Sequence, residues 1–177
     1  RILPLFFVLC AALPAVAEPL DATTRDFDQI HLDLSVEPHL RKGTVDGPAK
    51  LTFPALRAGF RRLRLHSVDT TVLCVTDSTG RLLGWTGRDG ILAIDLAAPL
   101  AKGTEETLTI AYRSKPTSGL WFHAPTKEHP HVPLSVYSQG QGTNNRHWIP
   151  CYDLPDDRLT VATHVTVEDP LKTVANG

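Results

Sequence analysis

The chain has 177 residues, of which 42% are hydrophobic and 21% are charged, and its formal net charge is −1 with histidine neutral. This composition supports a folded core and excludes an intrinsically disordered chain, and the length suits one domain of ordinary size. Acidic and basic residues nearly balance and form no basic stripe, so no nucleic-acid partner is expected.

The first segment has the layout of a secretory signal. An uncharged apolar run over residues 2–13 is followed by Ala15-Val16-Ala17, a small-residue pattern typical of signal cleavage. The run is too short for a transmembrane span, so we expect none. The sequence predicts a signal peptide over residues 1–17, with its start truncated, and a linker over residues 18–26. The mature protein is then expected to be secreted or periplasmic.

From residue 30 onward, hydrophobic residues recur with the period of two that is typical of half-buried β-strands. The predicted strands cover residues 30–36, 43–53, 62–66, 72–76, 81–85, 91–96, 108–112, 120–122 and 159–167. We expect a bulge or kink at Gly47-Pro48, and a hairpin that joins strands 81–85 and 91–96 through a turn at residues 87–90. No helical period lasts for more than about ten residues. The pattern predicts an all-β domain, an antiparallel sandwich or a related sheet.

Cysteines and histidines give no pattern typical of a metal site. Cys74 and Cys151 could pair in an oxidising compartment, but two separate buried thiols are the favoured interpretation. His129 and His131 flank a proline, which places their rings on opposite sides of an extended chain, and with His123 they are interpreted as part of a surface loop. Three other histidines lie on the polar faces of strands and are predicted to be exposed: His31, His66 and His164.

The densest group of polar side chains lies near the end of the chain. It comprises Gln139-Gly140-Gln141, then Asn145-Arg146-His147-Trp148, then Pro150-Cys151-Tyr152-Asp153-Leu154-Pro155. Glycine beside two amides allows a ligand or another backbone to approach closely. We expect Arg146 to pair with Asp153 across the turn, while Trp148 and Tyr152 anchor it by burial. These framework residues would hold the Gln-x-Gln segment rigid.

In order and spacing, these residues resemble the N-terminal domain of zinc aminopeptidases of the aminopeptidase N family. Gln-x-Gln is the form found in its leukotriene-hydrolase branch, whereas many members carry Glu at the second position. The resemblance extends more weakly over residues 27–177, and it implies a saddle-like β domain that packs on a catalytic domain and edges the substrate cleft. It also implies that Gln139 and Gln141 bind the peptide substrate, with Gln141 at its amino-terminal end. The alternative is that both glutamines satisfy backbone groups in an irregular strand.

The family's zinc-binding motif, His-Glu-x-x-His, does not occur in this sequence. The resemblance implies that residues 27–177 form the N-terminal β domain, cut before the catalytic domain, of a zinc aminopeptidase that removes amino-terminal residues from peptides. The zinc ligands would lie outside this chain, which alone should carry no catalytic residue, bind no zinc and be inactive. Two alternatives stay open: a non-catalytic secreted β-sandwich that binds sugar or protein, and a family member that has lost its catalytic motif.

Overall fold

A computed structural model describes residues 20–176 except residues 22 and 24. The predicted signal peptide lies outside the described residues, as do residues 18, 19, 22 and 24 of the predicted linker. Regular structure in the described part consists of ten strands and one 3-10 turn, so the predicted all-β class is confirmed. The described residues include no apolar helix that is long enough to cross a lipid bilayer.

The strands form three sheets. They are β1 (His31–His39), β2 (Thr44–Pro54), β3 (Phe60–His66), β4 (Thr70–Thr76), β5 (Trp85–Arg88), β6 (Ile91–Leu100), β7 (Glu105–Ser114), β8 (Leu120–His123), β9 (Ser135–Ser138) and β10 (Thr160–Val165). The largest sheet has the order β10-β1-β2-β7-β4, the second has the order β3-β6-β5, and β8 and β9 form a two-stranded hairpin. Neighbouring strands run antiparallel as predicted, except that β10 pairs with β1 in parallel at one edge.

An aromatic cluster joins the two larger sheets. The ring centroid of Phe27 lies 5.7 Å from that of Phe53 on β2 and 6.1 Å from that of Phe60 on β3. The ring of Tyr152 lies edge-on to Phe27 at 5.8 Å. Aromatic rings bury large areas and favour such edge-to-face contacts, so the core extends from the sheets to the segment around Tyr152. The polar segment near the chain's end is therefore attached directly to the core.

Two details of the predicted strands were wrong. The second strand passes through Gly47 and Pro48 without a register shift, so the predicted bulge is absent, although the pairing with β1 is interrupted at these two residues. Glycine is needed there because a Cβ on Gly47 would lie 2.1 Å from the carbonyl oxygen of Ser35. The predicted strand 81–85 instead begins at Trp85, because Asp89 (φ 52°) and Gly90 (φ 75°) form a tight turn that sets its pairing with β6.

The environments of His66 and Cys74 also differ from the prediction. His66 is buried, because the segment around Cys151 pairs with the end of β3. The N–H of His66 donates to the carbonyl of Cys151 at 2.8 Å, and the N–H of Cys151 donates to the carbonyl of His66 at 3.1 Å. Cys74 and Cys151 are both free thiols, as favoured, but only Cys151 is buried, and Cys74 is half-buried. The alternation of polar and apolar residues within β3 cannot show that a segment distant in sequence packs over one of its polar residues. His66 was therefore wrongly predicted to be exposed.

Candidate functional site

The β8–β9 hairpin leads directly into the segment that carries the two glutamines, which we call the glutamine loop (residues 139–144). At the base of the hairpin, the backbone N–H of Gln139 donates to the carbonyl of Gly119 at 2.8 Å. Leu120 is buried beneath the hairpin, while the cross-strand neighbours Trp121 and Tyr137 present exposed rings on its outer face. The hairpin thus fixes where the glutamine loop begins.

Both glutamine side chains point into solvent. Gln139 and Gln141 are exposed, and neither carboxamide has a hydrogen-bond partner among the residues that the structure describes. The described contacts therefore do not support the interpretation that these amides satisfy backbone groups. An exposed carboxamide keeps its oxygen free to accept and its nitrogen free to donate, which is the chemistry that recognition of a polar ligand requires.

The glutamine loop continues into a 3-10 turn over Asn145–His147. Arg146 in this turn makes three contacts with Asp153: its backbone N–H and Nε donate to the carboxylate at 2.9 and 3.3 Å, and its Nη2 donates to the carbonyl at 2.6 Å. The pairing predicted between these residues is confirmed, as is the burial of Trp148 and Tyr152. Charge-assisted bonds that converge on a buried carboxylate make this turn rigid.

Two buried polar side chains attach residues 151–153 to the rest of the domain. Gln29 accepts from the backbone N–H of Tyr152 at 3.0 Å through Oε1 and donates to the Tyr152 carbonyl at 3.5 Å. The N–H of Asp153 donates to Nδ1 of His66 at 3.1 Å. Because buried backbone groups are costly to leave unpaired, these contacts favour a single position for the segment. Neither partner was predicted, since each lies far away in sequence.

A second unpredicted anchor holds the other side of the 3-10 turn. Nδ1 of His147 lies 2.8 Å from the Asp69 carboxylate, which also accepts from the backbone N–H and hydroxyl of Thr117 at 2.8 and 2.6 Å. Burial alone would raise the pKa of Asp69, but the hydrogen bonds from Thr117 and His147 outweigh it and lower that pKa below its usual value. The Ser114 hydroxyl adds a bond to the His147 carbonyl at 2.8 Å.

An open cleft of about 990 Å³ lies beside this rigid region. Its apolar wall comes from β1 and β10, where Leu32 lies opposite Val161 and Val36 lies opposite Val165. The predicted last strand is shorter than expected, yet the five residues predicted to share its inner face, Leu159, Val161, Thr163, Val165 and Val167, all line the cleft. Gly142 and Asn145 line the cleft, so it reaches the glutamine loop, but Gln139 and Gln141 are not among its lining residues.

A pair of oppositely charged side chains lies near the cleft. Nη1 of Arg25 lies 2.7 Å from the Asp157 carboxylate, and its guanidinium stacks 5.0 Å from the Tyr152 ring centroid. Burial raises the pKa of Asp157, while Arg25 favours its charged form. Nothing in the local sequence predicted this pair, because its members lie 132 positions apart.

Among the described residues, no three His, Cys, Asp or Glu side chains are grouped so that they could hold a metal ion. His123 does not converge with another histidine but stacks on Tyr137, with ring centroids 5.5 Å apart. The described residues therefore do not fit a zinc ion, which needs three or four converging ligands.

The fold resembles that of solved M1 zinc metallopeptidases. The enzyme from Deinococcus radiodurans, in a mutant bound to a Tyr-Ser-Ala substrate, matches with a TM-score of 0.70 and 24% identity over 81% of this chain and 33% of that chain. Yeast LTA4 hydrolase in complex with bestatin matches with a TM-score of 0.70 and 21% identity over 90% of this chain and 26% of that chain. This chain thus spans a third or less of each of these proteins.

The sequence match is broader than the polar motif alone. Residues 28–177 match the family described as the Peptidase M1 N-terminal domain. The chain belongs to this family, and the resemblance seen in the Gln-x-Gln and Arg146 to Pro155 residues is confirmed. Its β architecture is that of a domain which, in the solved relatives, forms part of a longer metallopeptidase chain.

Proposed function

We propose that this chain is the N-terminal domain of an exported, zinc-dependent aminopeptidase that removes amino-terminal residues from peptides. In this proposal residues 1–17 direct export, residues 18–26 form a linker, and residues 27–177 pack on a catalytic domain. The observation that carries it is family membership combined with two exposed, unpartnered glutamines on a rigidly anchored loop beside a cleft.

Gln141 is the proposed contact for the amino terminus of the substrate. An aminopeptidase must hold the free ammonium at one depth of its cleft, so that only the first peptide bond reaches the reacting centre. The carboxamide oxygen of Gln141 can accept from that ammonium, and that of Gln139, two residues away, offers it a second acceptor. A hydrogen bond between two neutral groups typically contributes about 0.5–1.5 kcal/mol, and a bond that involves a charged group, such as this ammonium, contributes about 1.5–3 kcal/mol.

Zinc enters the proposal through the catalytic domain. A bound zinc ion supplies an activated water for peptide hydrolysis. Because the described residues do not fit this ion, its ligands are assigned to a part of the full-length protein outside this chain. The role proposed for this chain is to bind and orient the substrate, and the anchored glutamine loop has the rigidity that such a role requires.

The proposal is tested on the full-length protein with chromogenic aminoacyl substrates. We expect hydrolysis of substrates with a free amino terminus, loss of activity after treatment with a chelator, and recovery when zinc is restored. Acetylated peptides of the same sequence should be poor substrates, because they carry no ammonium. A full-length protein that hydrolyses none of these substrates would instead favour a non-catalytic binding module.

A further inference from the structure

Gly140 lies between the two glutamines, and the space that its side chain would need is filled by Asn145. A Cβ placed on Gly140 would lie 2.2 Å from Oδ1 and 2.7 Å from both Cγ and Nδ2 of Asn145. Gly140 does not have a positive φ, so its backbone conformation would accept other residues. A side chain at position 140 would therefore require the Asn145 carboxamide to move away.

Asn145 is itself held firmly by its backbone. Its carbonyl accepts from the N–H groups of both Trp148 and Ile149, each at 2.9 Å. The next residue, Arg146, is bound to Asp153 by three hydrogen bonds. The Asn145 carboxamide has no hydrogen-bond partner among the described residues, so packing on Gly140 is its evident contact there.

A second close approach holds the glutamine loop from the hairpin side. A Cβ on Gly119 would lie 2.1 Å from the carbonyl oxygen of Asn144, and Gly119 itself accepts from the N–H of Gln139. The loop thus lies between the start of β8 and the 3-10 turn, with one close glycine contact at each side. Two such contacts leave little freedom to the chain between Gln139 and Gln141.

We infer that Asn145 is a positioning residue for the glutamine loop, which it holds by packing its carboxamide on Gly140. The inference rests on the proposed function, because it assigns Asn145 an effect on substrate binding through Gln141. Without this contact the loop would sample other conformations, and apparent affinity would fall with the fraction of loops in the binding geometry. The effect should therefore appear in KM for peptides with a free amino terminus, while kcat stays close to its original value.

The test is a double-mutant cycle in the full-length protein with Gly140→Ala and Asn145→Ala. We expect each single variant to raise KM about three- to tenfold, because one displaces the carboxamide and the other removes it. In the double variant the new methyl group fills the space left by the carboxamide, so KM should return close to the original value. Gly84→Ala is the matched control, since a Cβ at Gly84 meets no atom within 4 Å and its φ is not positive.

Hydrogen exchange of the backbone amides in residues 139–144 gives a readout that needs no substrate. We expect exchange about tenfold faster in the Asn145→Ala variant and near the original rate in the double variant. Multiplicative effects of the two changes on KM, or unchanged exchange in Asn145→Ala, would overturn the inference. A wild-type protein without aminopeptidase activity would overturn the proposed function instead, and the exchange rates alone would then decide whether Asn145 positions the loop.

Discussion

Arg146 and Asp153 hold each other through three hydrogen bonds that involve both backbone and side chain. The Asp153 side chain is 6% exposed and the Arg146 side chain is 21% exposed, so solvent screens the pair only weakly. Residues 146–153 are closed into a compact turn by this pair, and the glutamine loop enters that turn directly. The orientation of Gln139 and Gln141 therefore depends on a contact that neither of them makes.

Replacing Arg146 with alanine should lower the free energy of unfolding by about 2–3 kcal/mol, because it removes two donors from a buried partner. Arg146→Lys should recover only part of this loss, since a lysine cannot reproduce the planar two-donor geometry. Chemical denaturation of the purified variants measures both values. Losses below about 0.5 kcal/mol for both variants would contradict the anchoring role.

Replacing Gln141 with alanine in the full-length protein should lower kcat/KM on free peptides about five- to thirtyfold, because the ammonium loses an acceptor worth about 1–2 kcal/mol. Gln141→Glu should restore or exceed the original efficiency, because a carboxylate adds charge to the same contact. Residual activity on acetylated peptides should hardly change in either variant. Equal losses on both substrate types, with a lower melting temperature, would assign Gln141 a structural role.

Replacing Gln139 with alanine distinguishes a substrate-binding role of this side chain from a structural one. If Gln139 contributes to substrate contact, selectivity for free over acetylated peptides should fall while the melting temperature stays unchanged. The exposure of its side chain supports this outcome, since an exposed group without partners adds little to stability. A lower melting temperature with unchanged selectivity would contradict it.

Folding stability should decrease in mildly acidic solution because of His66. Burial, together with the nearby charge of Arg146, lowers the pKa of His66 below its ordinary value of 6.5. Below about pH 6.5 the unfolded chain therefore binds more protons than the folded one. The stabilisation is fully present above the pKa of the unfolded chain and is lost as pH falls through the pKa of the folded protein.

The matched variant is His66→Asn, which retains an acceptor for the Asp153 N–H but does not titrate. We expect its free energy of unfolding to depend less steeply on pH between 7 and about 5 than that of the original protein. Denaturation curves across this range measure the two slopes, to which all other titrating groups contribute equally. Identical slopes would show that His66 does not couple folding to protonation.

Two glycines with similar positive φ angles allow the cost of the close approach at Gly119 to be measured. Gly119 (φ 77°) and Gly80 (φ 83°) both have positive φ, so alanine strains each of them by about 1–2 kcal/mol. Only Gly119 of these two would also place its Cβ against a backbone atom, the Asn144 carbonyl oxygen, whereas a Cβ at Gly80 meets nothing within 4 Å. We expect Gly119→Ala to cost about 2 kcal/mol more than Gly80→Ala in thermal unfolding. Equal losses of stability in the two variants would mean that the hairpin can move away from the Asn144 carbonyl without a measurable cost.

The sequence by itself determined the β class, most of the strands and the framework of the polar segment. Period-two alternation follows from the geometry of a strand with one buried face, so the burial of residues such as Leu32 and Leu34 can be predicted from the sequence pattern. The pair Arg146 and Asp153 was also predictable, because its members are near neighbours in sequence and of opposite charge.

Only the tertiary structure decided which distant groups hold that segment in place. Gln29, His66 and Asp69 contact residues 147–153 across sequence separations of 78 to 123 positions. Such contacts leave no local signal, because hydrogen bonding depends on where the folded sheets bring two side chains together. The same holds for Gly140: the sequence predicted a close approach of a ligand or another backbone, whereas the folded chain places the Asn145 carboxamide in the space beside it.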